Sequence, residues 1–190
     1  HLTWFRGMIH ALGHGRAGDR RAYFKFDCAH TIHLPFIREA FPDVPWIFLY
    51  RDPIEVLVSQ HRLRGSQMIP GIMDPRRIGL TREDLHDLSF DEYGARVLAS
   101  TCSAVLTFDG GKMTGGRLVN YHELPGIFWG KLASFFDVRP SEEELALMHE
   151  AATFSAKNPV IKHEDDTGQK KRAANEGLRA LADRWLNGLY

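Results

Sequence analysis

Only two cysteines, Cys28 and Cys102, occur in the 190 residues. Two thiols exclude a disulfide framework and point to a reducing, cytoplasmic compartment. Neither sign of charge is in excess: 24 Lys plus Arg face 24 Asp plus Glu, for a net charge of zero. That balance excludes a nonspecific nucleic-acid binder, which needs surplus positive charge, but leaves room for a local basic pocket. No apolar run approaches the roughly 20 residues of a membrane-spanning helix. A signal-peptide pattern is also missing, and the first residue is His1 rather than Met, so the natural N-terminus is expected upstream. Internal repeats and low-complexity tracts are absent too.

What is present suits one domain over residues 1–190, long enough and with enough apolar residues (44%) to bury a core. Residues 1–13 have helical spacing, with Leu2, Phe5, Met8, Ile9 and Leu12 on one stripe. "GHGRAGDRR" reads as loop, "AYFKFD" (residues 22–27) as a short strand, and "HLPFIREAF" as a two-turn helix stopped by Pro42. "WIFLY" is a continuous apolar run between turn signals, the pattern of a central parallel strand covered on both faces. Residues 65–90 are irregular, and Met68, Ile69, Ile72 and Met73 there would line an apolar pocket or form a lid on the core. Further on, "DEYGARVLASTCSAVLTF", "LPGIFWGKLASFF", "SEEELALMHEAATF" and "EGLRALADRWLNGLY" read as helices, the third opening with a Ser141–Glu144 capping box. "GGKMTGG" is a turn, "RLVNY" a strand, and "KNPVIKHEDDTGQKKRAAN" a polar loop. Strands alternating with helices predict a three-layer α/β/α fold around a largely parallel sheet.

In such a sheet, ligands bind beyond the carboxyl ends of the strands. "WIFLYRDPIEVLVSQ" leaves a strand at Arg51 and enters a helix at once: Asp52 is an N-cap, Pro53 suits the first helical position, and Glu55 would complete a capping box. The helix N-terminus favours an anion, and the planar fork of Arg51 suits a phosphate. Ser59, two turns on, would offer a hydroxyl to the same anion. Alternatively, Arg51 pairs with a carboxylate and Ser59 is a small helix residue.

The stretch "FPDVPWIFLYRDPIEVLVSQ" resembles the 3′-phosphate-binding segment of sulfotransferases that use 3′-phosphoadenosine 5′-phosphosulfate (PAPS). Those enzymes join an apolar strand to Arg-(Asp/Asn)-Pro, an apolar-patterned helix, and a Ser eight residues after the Arg. The resemblance implies a P-loop NTPase-like fold, PAPS as co-substrate, no metal, and Arg51 and Ser59 on the 3′-phosphate. It also places Tyr121 of "RLVNYHEL" near the adenine, "IFWGKLASFFDV" in the following helix, and Lys171 or Arg172 of the basic C-terminal segment over the 3′-phosphate. The family's phosphosulfate loop has no counterpart among the Gly-rich stretches, so that loop and the first strand are expected upstream of His1.

Sulfuryl transfer needs an acceptor hydroxyl or amine, a base for its proton, and cations over the developing charge. Aligning "YFKFD" with the family's Lys-Thr-His strand puts Lys25 on its Lys and Asp27 at its His, with His30 as the other candidate base. Asp27 would equally cap the helix near Thr31, with Lys25 as its partner. The His30/His33 and His10/His14 pairs have helical ligand spacing but no carboxylate or Cys companion, so no metal site is expected. Two other readings stay open: a sulfotransferase-like domain that binds a nucleotide or partner without catalysis, and a P-loop kinase, for which no free metal-holding carboxylate is seen.

Overall fold

The structure, a computed structural model, describes residues 1–15, 21–155, 158–162 and 166–190. The chain runs α1 (Leu2–Leu12), α2 (Leu34–Ala40), β1 (Trp46–Tyr50), α3 (Pro53–Arg62), α4 (Phe90–Leu106), β2 (Gly116–Asn120), α5 (Ala133–Phe135), α6 (Glu142–Ala152), β3 (Phe154–Ser155), β4 (Asn158–Lys162), α7 (Thr167–Ala173) and α8 (Glu176–Trp185). It is a mixed α/β molecule, rich in helix, with a small parallel sheet. No helix among the described residues is long and apolar enough to cross a membrane.

β1 and β2 pair in parallel, from Trp46 opposite Gly116 to Tyr50 opposite Asn120. Their close approach fixes one glycine: a Cβ on Gly116 would meet the Trp46 ring at 2.3 Å. The turn into β2 has the glycines that the sequence suggested, with Gly110, Gly111 and Gly115 all at positive φ. Because the strands run in register, their carboxyl ends finish side by side, and Arg51 and Tyr121 are the next residues of each chain segment.

α3 forms as its sequence dictates. Asp52 accepts the Ile54 N–H at 2.9 Å, Pro53 fills the first turn, and Leu57 and Val58 turn inward. They join Ala95 of α4 and Leu178, Ala182 and Leu186 of the C-terminal segment in one buried cluster. α4 and α8 are capped by Ser89 and Asn175, which accept from the Glu92 and Leu178 N–H groups. A second cluster forms where Met68 and Leu80 meet Tyr93 and Val97 of α4, with Cys28 and Met73 against it. Met68 and Met73 thus pack into the protein's own core, while Ile69 and Ile72 remain exposed.

Several expectations are corrected. "AYFKFD" forms no strand among the described residues; its aromatic rings pack instead, Phe26 on Phe5 and Tyr23 on Phe136. Without a neighbour to share a ladder, apolar alternation does not make a strand. "WIFLY" is not covered on both faces: Leu49 is 45% exposed and Leu118 on β2 is exposed too, in a sheet that holds two strands among the described residues. The helix read over residues 124–136 does form, as a continuous helical run over 126–135, but its middle (Phe128–Leu132) is a π-turn in a segment weakened by Gly126 and Gly130. The polar segment read as loop holds β4, which pairs antiparallel with β3, and α7. Tertiary ion pairs, not an apolar stripe, hold α7. Parts of this segment (residues 157 and 163–165) and of the loop read over residues 13–21 (16–20) lie outside the described residues.

Candidate functional site

At the strand ends the side chain of Arg51 runs back along α3. Its Nε donates to Glu55 Oε2, one turn ahead, and a terminal nitrogen donates to Asp166 Oδ1 at 2.7 Å. The guanidinium lies over the Tyr121 ring, 4.5 Å from its centre, so the neighbouring strand end supplies a cation–π contact. Tyr121, expected beside an adenine, has one face given to Arg51.

Glu55 anchors this group. It is fully buried, and a buried carboxylate must be paired. Arg51 takes one oxygen, while His122 Nε2 lies 3.2 Å from the other and Lys171 Nζ is 4.0 Å away. The capping box expected of Glu55 is therefore not what its carboxylate serves: it faces a guanidinium and an imidazole. α7 closes the group from above. Lys171 Nζ is 2.9 Å from Asp52 Oδ2, and Lys170 Nζ is 2.7 Å from Asp166 Oδ2.

The electrostatics follow from these contacts. Burial opposes the charge on Asp52, but Lys171 and the Ile54 N–H outweigh it and its pKa falls. Burial likewise works against the Asp166 charge, yet the hydrogen bonds from Lys170 and Arg51 hold its carboxyl at about 2. The hydrogen bond to Asp52 raises the Lys171 ammonium. Arg51 and Lys171 are thus charged near neutrality and already paired with carboxylates, so an incoming anion has to exchange for one of them.

Of the residues the sequence suggested, the structure brings together Arg51, Tyr121 and Lys171. Ser59 follows Arg51 and Glu55 on the same stripe of α3, about 6 Å beyond Glu55 along the axis. Arg172 is exposed on α7. The other set is not part of this group. Lys25 is exposed on the unpaired segment. Asp27 accepts the Ala29 N–H at 2.9 Å and caps the 3₁₀ turn Cys28–His33. His30 sets its ring against Phe26, and His33 turns to Arg77. Among the described residues no group of three potential ligands could hold a metal. A groove of ≈ 410 Å³ between α4 and α8, lined in part by Ser89, Asp91, Asn175 and Arg184, shares no residue with the strand-end group.

Sequence reasoning missed Glu55 as an anchor, His122, Asp166 and Lys170. His122 adjoins Tyr121, and the Asp166–Lys170 pair has the i,i+4 spacing of a helix ion pair, so both carried a faint local signal. The 115-residue separation between Arg51 and Asp166 carried none. Comparison of the chain with protein-family models, with curated proteins and with solved structures returns no match.

Proposed function

We propose that the strand-end group recognises the 3′-phosphate of an adenosine nucleotide and that the protein is a PAPS-dependent sulfotransferase. The observation that carries this reading is the convergence of Arg51, from the end of β1, with Lys171 of α7 on carboxylates at the N-terminus of α3. Two kinds of cation and a helix N-terminus around an anion position make a donor set that fits a phosphate monoester. Arg51 and Lys171 would hold the 3′-phosphate, Ser59 would add a hydroxyl from the same helix face, and Tyr121 keeps the guanidinium plane fixed. PAPS, when bound, supplies the sulfuryl group that passes to an acceptor hydroxyl or amine. On this reading the finer architecture is three-layered, with further strands beside β1 and β2 and helices over both faces, where Leu49 and Leu118 are exposed.

Lys25, Asp27 and His30 are the candidates for proton transfer and sulfate contact. The capping role of Asp27 and its separation from the Arg51 group favour a second reading, a sulfotransferase-like domain that binds the nucleotide without catalysis. The two share the phosphate site and differ in the transfer step.

Calorimetric titration with adenosine 3′,5′-bisphosphate, using the 5′-monophosphate as control, tests the shared element. Selective binding of the bisphosphate is expected. Equal affinity for the two nucleotides overturns the assignment.

A further inference from the structure

The three carboxylates around Arg51 differ in how firmly they are held. Glu55 is fully buried and takes the Nε edge of the guanidinium. Asp52 is committed to the Ile54 N–H as well as to Lys171. Asp166 is different: its side chain is 45% exposed and makes no capping hydrogen bond to its own helix. Its two oxygens are divided between a terminal nitrogen of Arg51, 115 residues away in sequence, at 2.7 Å and Lys170 Nζ, one turn on in α7, at 2.7 Å.

An exposed carboxylate held by one guanidinium and one ammonium has the charge and spacing of a bound phosphate edge. We infer that Asp166 is an internal stand-in for the ligand's phosphate, and that a phosphate monoester binds by displacing it from Arg51 and Lys170. The inference rests on the phosphate reading above and deepens it, adding Lys170 as a ligand-binding residue and Asp166 as a competitor. Glu55 stays in place through the exchange and keeps the terminal nitrogens of Arg51 turned toward the incoming anion. A phosphate dianion carries more charge and one more acceptor oxygen than the carboxylate it replaces, which gives the exchange its direction. While Asp166 is seated, apparent affinity is lowered by the fraction of molecules so closed.

The test is titration of inorganic phosphate and of adenosine 3′,5′-bisphosphate into the unmodified protein, Asp166→Asn and Lys170→Met, with a melting curve for each. The Asn side chain keeps the size and removes the competing charge, so both probes are expected to bind Asp166→Asn about tenfold more tightly. Lys170→Met is expected to bind both more weakly; unchanged affinity there removes Lys170 from the site. Bisphosphate binding that is equal in the unmodified protein and Asp166→Asn keeps the nucleotide reading and overturns the displacement. Tighter binding of both probes with no preference for the nucleotide upholds the displacement and overturns the nucleotide reading. No binding of either probe to any of the three proteins overturns both. Should Asp166→Asn fail to melt cooperatively, Asp166→Ser takes its place with the same expected outcomes.

Discussion

α3 and α1 both carry apolar side chains at helical spacing, yet their surroundings differ sharply. α3 buries Leu57 and Val58 against α4 and α8, and buries Glu55 as well. α1 buries no residue: Phe5 packs against Phe36 and Phe41, but Trp4 is 85% exposed and Met8 and Leu12 are open too. The contrast teaches that an amphipathic stripe states what a helix can bury, and a partner decides whether it does so. α3 has two partners to pack against and a carboxylate whose charge is answered from β1, the segment after β2, and α7. α7 makes a third case: Lys171 pairs with Asp52 at the start of α3, and Asp166 at the start of α7 pairs with Arg51, so ion pairs hold it there.

The largest expected effect comes from opening the buried charge pair beneath Arg51. Glu55→Ala leaves Arg51 and His122 without their buried partner and should destabilise the fold by about 3–5 kcal/mol, read by urea unfolding. Glu55→Gln should cost less, because the amide oxygen still accepts. A near-neutral Glu55→Ala would place the anchor elsewhere. Next comes the apolar contrast itself. Leu57→Ala on α3 removes a side chain that is 2% exposed and should cost about 2–5 kcal/mol, while Met8→Ala on the open stripe of α1 should change stability by less than about 0.5 kcal/mol. If the two variants unfold alike, the difference drawn between α3 and α1 is wrong.

The smallest effect concerns α7. Asp52 and Asp166 have depressed pKa values in the folded state. Their contribution is therefore complete above the unfolded carboxylate value of about 3.9, and it is lost as pH falls toward the value of about 2 held by Asp166. Hydrogen exchange should show α7 opening in that window before α8, and Asp166→Asn should flatten the dependence. Acid opening of both helices together would mean that α7 is held by something other than these pairs.

The elements that were legible from sequence are those whose signals are local. Asp52-Pro53 opens α3, Ser141 and Glu144 form their capping box, and the periods of α4 and α8 survive intact. That Arg51 and Tyr121 each stand at the end of a strand was legible; their contact comes from the parallel pairing of those two strands, which brings the ends together. Other features depend on partners that no short window contains. "AYFKFD" has the composition of a strand, but a strand also requires a neighbour. Glu55 has the position of a cap and the role of a buried counter-ion, and only the fold reveals His122 beside it. Asp166 reaches Arg51 across most of the chain, and α7 is held by ion pairs that periodicity does not detect.

The central claim is that Arg51, held by Glu55 and Tyr121 at the end of β1, recognises a phosphate. The most direct measurement is titration of adenosine 3′,5′-bisphosphate and the 5′-monophosphate into the unmodified protein and Arg51→Ala. The account predicts a clear preference for the bisphosphate that Arg51→Ala abolishes, a loss on the order of 100-fold for a charge-assisted bidentate contact. A preference that survives Arg51→Ala, or no preference at all, would contradict it.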